Sequence, residues 1–357
     1  MTVTKPPPAP ALLTGRVLRS RSGRLSVRAH PRSLVVGGVL VVVVLVVAVL
    51  MLVTGDYPAT VGEVVRTVFG DGPPGLELIV NRFRMPRILV GIAVGVALGV
   101  SGAIFQSLSR NPLGSPDIIG FTTGSATGAL LVILVFRDTM SGTAGGAIAG
   151  GVVTSLVVYM LAFKRGVSGF RLILIGIGVS AMLASVNAFL LSRATLRDAQ
   201  NAQLWLVGSL NARGWQHVVP VWTAIAALLP IAVVLGKRMM MLEMGDEAAA
   251  ARGVPVERSR LALLLTAVGL TAVATAAAGP VGFVALAAPQ VARRLTGSTG
   301  AGLLPAALTG AALLTAADLA GQRLIAPTQL PVGLTTGAIG GLYLAVLLGR
   351  EWRKGRS

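Results

Sequence analysis

An all-α fold is what this sequence predicts: a polytopic transmembrane helical bundle of about ten spans. Three observations predict it. The chain is poor in charge, with 12% charged residues against 54% hydrophobic ones and a mean hydropathy of +0.79, whereas soluble domains carry about 25% charged residues. Apolar runs recur along its whole length. Its basic residues, finally, gather in alternate connections between those runs.

The first run, Ser33 to Gly55, holds no charged residue. At a rise of 1.5 Å per residue it is long enough to cross a hydrocarbon core of about 30 Å. It does not read as a signal peptide: the 32-residue basic tail before it and the run itself are too long, and no small-residue cleavage pattern follows. Further spans fall near 88–107, 118–136, 143–163, 172–192, 217–236, 261–278, 280–292, 302–317 and 332–349. The eighth is short and begins at Gly279-Pro280. An even number of spans puts both termini on one side.

Charge says which side. With the N-terminus cytoplasmic, the inner segments hold 22 Lys and Arg and the outer loops 9, in line with the positive-inside rule. The acidic residues divide 6 to 7 and set no orientation. The expected layout is a basic cytoplasmic tail over 1–32, a transmembrane domain over 33–349 in the plasma membrane, with a cytoplasmic segment at 237–260, and a cytoplasmic tail over 350–357. The net charge of +18 then belongs to topology and to attraction for anionic lipid, not to a nucleic-acid partner.

Glycines recur at four-residue spacing in three spans: Gly91, Gly95 and Gly99; Gly120, Gly124 and Gly128; Gly333, Gly337 and Gly341. Small residues on one helix face let backbones approach closely in lipid. Packing is the plainer reading, and room for a bulky cargo the other.

Several functions lack their chemistry here. There is no Cys, and the two His are His30 in the tail and His217 near a span end, so no metal site and no cofactor site built on protein ligands is expected. A Gly-rich phosphate loop is missing; "GKRMMM" at Gly236 is not one. No catalytic residue is expected, because the spans hold no nucleophile with a base beside it. Ion-coupled carriers place ionisable groups inside the membrane, and Asp318, at the end of the ninth span, is the one candidate.

Against this background residues 242–260, "LEMGDEAAAARGVPVERSR", stand out. They carry Glu243, Asp246, Glu247 and Glu257, four of the thirteen acidic residues. A short helix is expected to start at Gly245, with Asp246 and Glu247 suiting the positive end of its dipole. Ala248 to Ala251 favour helix, and Gly253 and Pro255 end it. It is either a solvated connection or a coupling helix that receives force from a separate ATPase.

Over residues 35–350 the chain resembles the FecCD-type permeases, membrane subunits of ABC importers for iron–siderophores, haem and cobalamin. The motifs are "RMPRILVGIAVGVALGVSGAIFQSLSRNPLGSPDIIGFTTGSATGAL", "FRLILIGIG", "LWLVGSLNARGW", "LEMGDEAAAARGV", "GPVGFVALAAPQVARR" and "AADLAGQRLIAPTQLPVGLTTGAIGGLYL". "SGAIFQSLSRNPLGSPD", "LLEMGD", "VERSR" and the "QLPVG" ending are most similar to the branch that imports ferric catecholate siderophores of the enterobactin type.

The resemblance implies the type II ABC importer permease fold and the rest of a machine: a second FecCD-type chain, different or identical, two ABC ATPase subunits and an extracytoplasmic siderophore-binding protein. It implies that Met244, Gly245, Asp246, Glu247, Ala249, Arg252 and Gly253 dock into the ATPase. It implies that Arg84 and Arg87 of "RFRMPR" pair with acids of the binding protein. A third docking arginine of some members falls at Gln322, with Arg323 beside it. Two more departures are Gln290, where members usually have His, and Gln329, where many have Glu. Trp205 and Trp215 match the pattern of the outer side, where aromatic anchors also gather. Asn111, Pro112 and Pro116 match a turn at the cytoplasmic end of the second span.

Overall fold

The structure is a computed structural model and describes residues 16–19, 26–29 and 31–354, except 56, 58, 118, 137–139, 165–168, 299, 301, 326 and 327. His30, most of the basic tail and residues 355–357 lie outside the described residues. What is described of the tail is a two-stranded antiparallel ribbon, β1 (Arg16–Arg19) with β2 (Ser26–Ala29), in the register Arg16 to Ala29.

The apolar runs become helices one for one. They are α1 (Pro31–Val53), α4 (Met85–Ser109), α5 (Phe121–Leu131), α6 (Met140–Ala162), α7 (Gly169–Arg193), α9 (Trp215–Glu243), α11 (Val256–Ala278), α12 (Val284–Thr296), α13 (Leu303–Arg323) and α14 (Val332–Lys354). Four short helices connect them: α2 (Val61–Val68), α3 (Pro74–Ile79), α8 (Leu196–Leu206) and α10 (Asp246–Ala251). Seven of the ten are long and apolar enough to cross a membrane by themselves, and Phe121–Phe136 and Val332–Val346 are shorter apolar helices. α12, at 13 residues, spans only about 20 Å. The turn before it, Gly279 to Val281, is buried. Irregular backbone is tolerated at membrane depth only where protein covers it. Here the covering is done by the loop after α8 and the start of α14: Ser209 N–H donates to Ala278 O at 2.7 Å and Gly333 N–H to Gly208 O at 3.1 Å.

Local sequence explains the helix ends. Thr60 and Glu63 form a capping box at α2, each side chain meeting the other's backbone N–H at 2.7 and 3.3 Å. Pro86 stands where α4 follows directly on the π turn Val80–Arg84, inside one continuous helical run over Gly75–Ser109, and there it removes a backbone donor from the ladder. α4 stops at Arg110, which takes the left-handed conformation at φ 50°. His217 caps α9, its Nδ1 accepting the Gly214 N–H at 3.3 Å. Two π turns, Val80–Arg84 before α4 and Val132–Phe136 after α5, have no counterpart in the sequence reading.

α4 is the hub, packing on α13, α11, α9 and α12. Glycine makes the closest of these contacts possible. A Cβ on Gly99 would lie 2.2 Å from Ala306 O, one on Gly95 2.5 Å from Gly310 O, and one on Gly310 2.1 Å from Gly95 O. Gly128 meets Gly146 in the same way across α5 and α6. The third stripe behaves differently. Gly333 is pressed against Val207 O, while Gly337 and Gly341 have open space beside them. Packing therefore accounts for the first two stripes and only the start of the third.

Candidate functional site

The alternation of helices sorts the charged residues to two ends of the bundle. Arg110, α10 and the first turn of α11 meet at one end, with the N-terminus of α1. Arg84, Arg87, Asp318 and Arg323 lie at the other, with α2 and α3.

At the first end α9 runs on to Glu243, well past the apolar run. Gly245 then turns the chain at φ 118°, a conformation strained for any residue with a side chain. α10 follows and is closed by Gly253 at φ 78°. Only Ala249 of the helix is buried. Met244 is exposed beside it, and Arg252 Nη1 reaches its sulfur at 3.0 Å. Glu247 is exposed as well.

Asp246 is different. Its carboxylate is gripped from two sides. Arg260, almost buried on α11, donates Nη2 to both oxygens at 2.9 Å, and Arg110 donates Nη2 to Oδ1 at 2.6 Å. Glu257 balances Arg260 from the other side at 2.7 Å. Partial burial works to raise the Asp246 pKa, but the bonds and charges of Arg260 and Arg110 outweigh it and hold the carboxyl below the ordinary range. Of the residues expected to contact an ATPase, the structure thus brings Met244, Asp246, Glu247 and Arg252 to the surface. Asp246 is at the same time bonded to the bundle through Arg110 and Arg260, and Gly245 and Gly253 stand at the turns.

The same end holds the turn at Asn111, Pro112 and Pro116. Gln290 Nε2 donates to Pro112 O at 2.8 Å, Gln106 Nε2 to Leu286 O at 2.9 Å, and Arg293 reaches Gln106 Oε1. Gln290 is therefore a neutral donor that ties α12 to the turn. A neutral imidazole can fill that role through one N–H, so it needs no titration. Asp117 accepts a short bond from Thr122; burial pushes its carboxyl up against that bond.

At the opposite end the expected docking arginines are engaged within the chain. Arg84 donates to the last carbonyls of α1 and its turn, Leu52 O and, at 2.6 Å, Tyr57 O. Arg87 sends Nε and Nη2 to the two oxygens of Asp318 at 2.8 Å each, and Nη1 to Gln329 Oε1 at 2.9 Å. Asp318 is fully buried and also accepts from Gln322 Nε2 at 2.9 Å. Two of the three departures from the family pattern, Gln322 and Gln329, thus sit in one cluster with Arg87. Arg323 is exposed. Trp215 is half exposed and its Nε1 donates to Asn81 O at 2.8 Å, tying α9 to the π turn. The bond gives it a structural role that residue type alone did not reveal.

Among the described residues no group of three or more His, Cys, Asp or Glu could hold a metal ion. What the geometry offers is mechanical: one exposed polar helix latched to the bundle, and ion-paired clamps at both ends.

Comparison with known proteins agrees with this architecture. The model of the FecCD transport family matches residues 28–350. The ferric enterobactin transport system permease protein FepG of Escherichia coli is 49% identical over 301 residues, covering 84% of this chain and 91% of its own. A probable siderophore transport system permease protein of Bacillus subtilis, YfhA, is 41% identical over 294 residues, covering 80% and 86%. A solved structure described as an inward-facing conformation of a metal-chelate type ABC transporter superposes with a TM-score of 0.80 at 28% identity, covering 88% of this chain and 99% of that one. With a family match across nearly the whole chain and a relative at this identity, the chain belongs to the FecCD transport family.

Proposed function

We propose that this chain is the membrane-spanning permease subunit of an ATP-driven ABC importer that takes a ferric siderophore of the catecholate type into the cytoplasm. The observation that carries this reading is α10. It is a polar helix outside the apolar bundle, exposed at Met244, Glu247 and Arg252 and fixed to α4 and α11 through Asp246. Such a helix suits a contact through which another subunit moves the bundle. The charge distribution supports placing the α10 end and both termini in the cytoplasm. The likeness to a ferric enterobactin permease supports the cargo.

ATP hydrolysis then belongs to two partner ATPases seated on Met244, Gly245, Asp246, Glu247, Ala249, Arg252 and Gly253. Their closure pushes α10 and converts the bundle between inward- and outward-facing states. A siderophore-binding protein docks at the opposite end. Arg323 is poised for it, whereas Arg84 and Arg87 engage its acids by trading their present partners.

A second permease chain completes the pathway. α7 supports this: of its 25 residues only Leu172 and Gly176 are buried, and Leu174, Ile177, Met182 and Phe189 leave a long apolar face exposed along it, which a second chain can cover. The chelate arrives with iron already bound, so it is cargo and needs no protein ligands.

The test of cargo is uptake by cells lacking the gene and complemented with it, supplied in turn with ferric catecholate siderophore, haem and cobalamin. Restored uptake of the first alone is expected. Restored uptake of haem or cobalamin alone keeps the machine and refutes the cargo; a cobalamin import system permease protein of Halobacterium salinarum is 35% identical to this chain over 284 residues.

A further inference from the structure

We propose that Arg110 is the positioning residue that makes α10 and α4 move as one body, so that displacement of α10 reaches the core of the bundle. This rests on the reading of α10 as the ATPase contact.

α10 has little stiffness of its own. It has six residues, one of them buried, and a glycine at a positive φ stands at each end. Neither glycine has any atom within 4 Å of where a Cβ would be. A push on such a helix would rotate it about its two glycines. The main chain of α10 packs chiefly on its sequence neighbours, α9 and α11, more than on α4.

Arg110 supplies the missing connection. One nitrogen, Nη2, donates to Leu242 O at 2.9 Å and to Asp246 Oδ1 at 2.6 Å. It therefore spans the Gly245 turn and grips the last turn of α9 together with the first turn of α10. Arg260 holds the same carboxylate from α11. The node contains two arginines and two carboxylates, Asp246 and Glu257, so its charge is balanced. Arg110 is moreover the last residue of α4's cap and takes φ 50°, where Gly or Asn would fit with less strain. Its side chain is what the position uses.

From Arg110 the connection continues inward. α4 is bonded to α11 through Ser101, whose Oγ reaches Ala267 O at 2.9 Å and Thr271 Oγ1 at 2.7 Å. It is bonded to α12 through Gln106 and through the Pro112 carbonyl held by Gln290. The end of α4 is thus a knot joining α9, α10, α11 and α12.

The test uses the permease with its ATPase and second chain in proteoliposomes, reading both ATP hydrolysis and cargo moved per ATP. The chain has no cysteine, so Arg110→Cys with Asp246→Cys can be joined by a short bis-maleimide without background labelling. For Arg110→Ala, the ATPase stays bound and active while cargo moved per ATP falls at least about tenfold, the scale of a strong coupling. The crosslinked pair regains most of that ratio, and Arg258→Ala, an exposed arginine of the same segment, leaves it unchanged. The link is overturned if Arg110→Ala keeps the wild-type ratio, if it sheds the ATPase, or if the crosslinked pair hydrolyses ATP without transport. Retention of the ATPase by Glu247→Arg would instead overturn the placement of the ATPase on α10, and the proposal with it.

Discussion

Arg87 and Asp318 are locked together by two parallel 2.8 Å hydrogen bonds, Nε to Oδ2 and Nη2 to Oδ1, with the carboxylate fully shielded. The pair joins α4 to α13 at the end of their closest packing. Removing one partner of a buried pair leaves an uncompensated charge and costs about 3–5 kcal/mol, whereas replacing both by apolar groups is often neutral. Arg87→Ala is therefore expected to lower thermal stability sharply in detergent. Arg87→Met with Asp318→Leu should melt nearer to wild type than either single variant. Destabilisation of the double variant equal to the sum of the two single variants would show that the two side chains act independently.

The α4–α13 crossing gives a second expectation. Gly99→Ala places a methyl about 2.2 Å from the Ala306 carbonyl oxygen, and backbone cannot yield as a side chain does. Overpacking of this kind costs about 1–3 kcal/mol or more. Gly337→Ala, with nothing within 4 Å, should be neutral or slightly stabilising. Melting curves of the two purified variants decide it, and equal melting temperatures would refute the packing assignment.

Gln290 gives a third. Its amide holds Pro112 O, and loss of a donor to a part-buried carbonyl costs about 1–3 kcal/mol. Gln290→Leu should weaken uptake, while Gln290→His, still a donor, should keep it within about twofold. Loss of uptake in both would mean that this position needs the amide itself.

Asp246 sets a pH dependence. Its folded pKa lies below the unfolded value of about 3.9, so its contribution is fully present above that value and fades as pH falls through the folded pKa. The stability difference between wild type and Asp246→Asn should be flat from neutral pH down to about pH 4 and shrink below it. A difference that vanishes already at pH 6 would contradict the two-arginine grip.

The ten helices that match apolar runs were legible because apolar runs and basic connections are written locally in the chain. α10 was legible as well, since glycines and acids flank its alanines. α2, α3 and α8 were not, being short and amphipathic between loops. The ion pairs were out of reach for a different reason. Arg87 and Asp318 are 231 residues apart and Arg110 and Asp246 are 136 apart, and only packing brings them together. Family resemblance pointed to Arg84 and Arg87 as surface contacts. It could not reveal that each already has partners inside the chain, because the same charge serves either purpose.

The most direct measurement is transport of radiolabelled ferric siderophore into proteoliposomes holding the permease, its ATPase and its binding protein. Wild type would be compared with a chain altered at Gly245, Asp246 and Glu247. ATP-dependent accumulation by wild type, with loss of both accumulation and ATPase association in the altered chain, is expected if α10 is the coupling helix of a siderophore importer. Undiminished uptake by the altered chain, or uptake by the permease driven by an ion gradient without the ATPase, would contradict it.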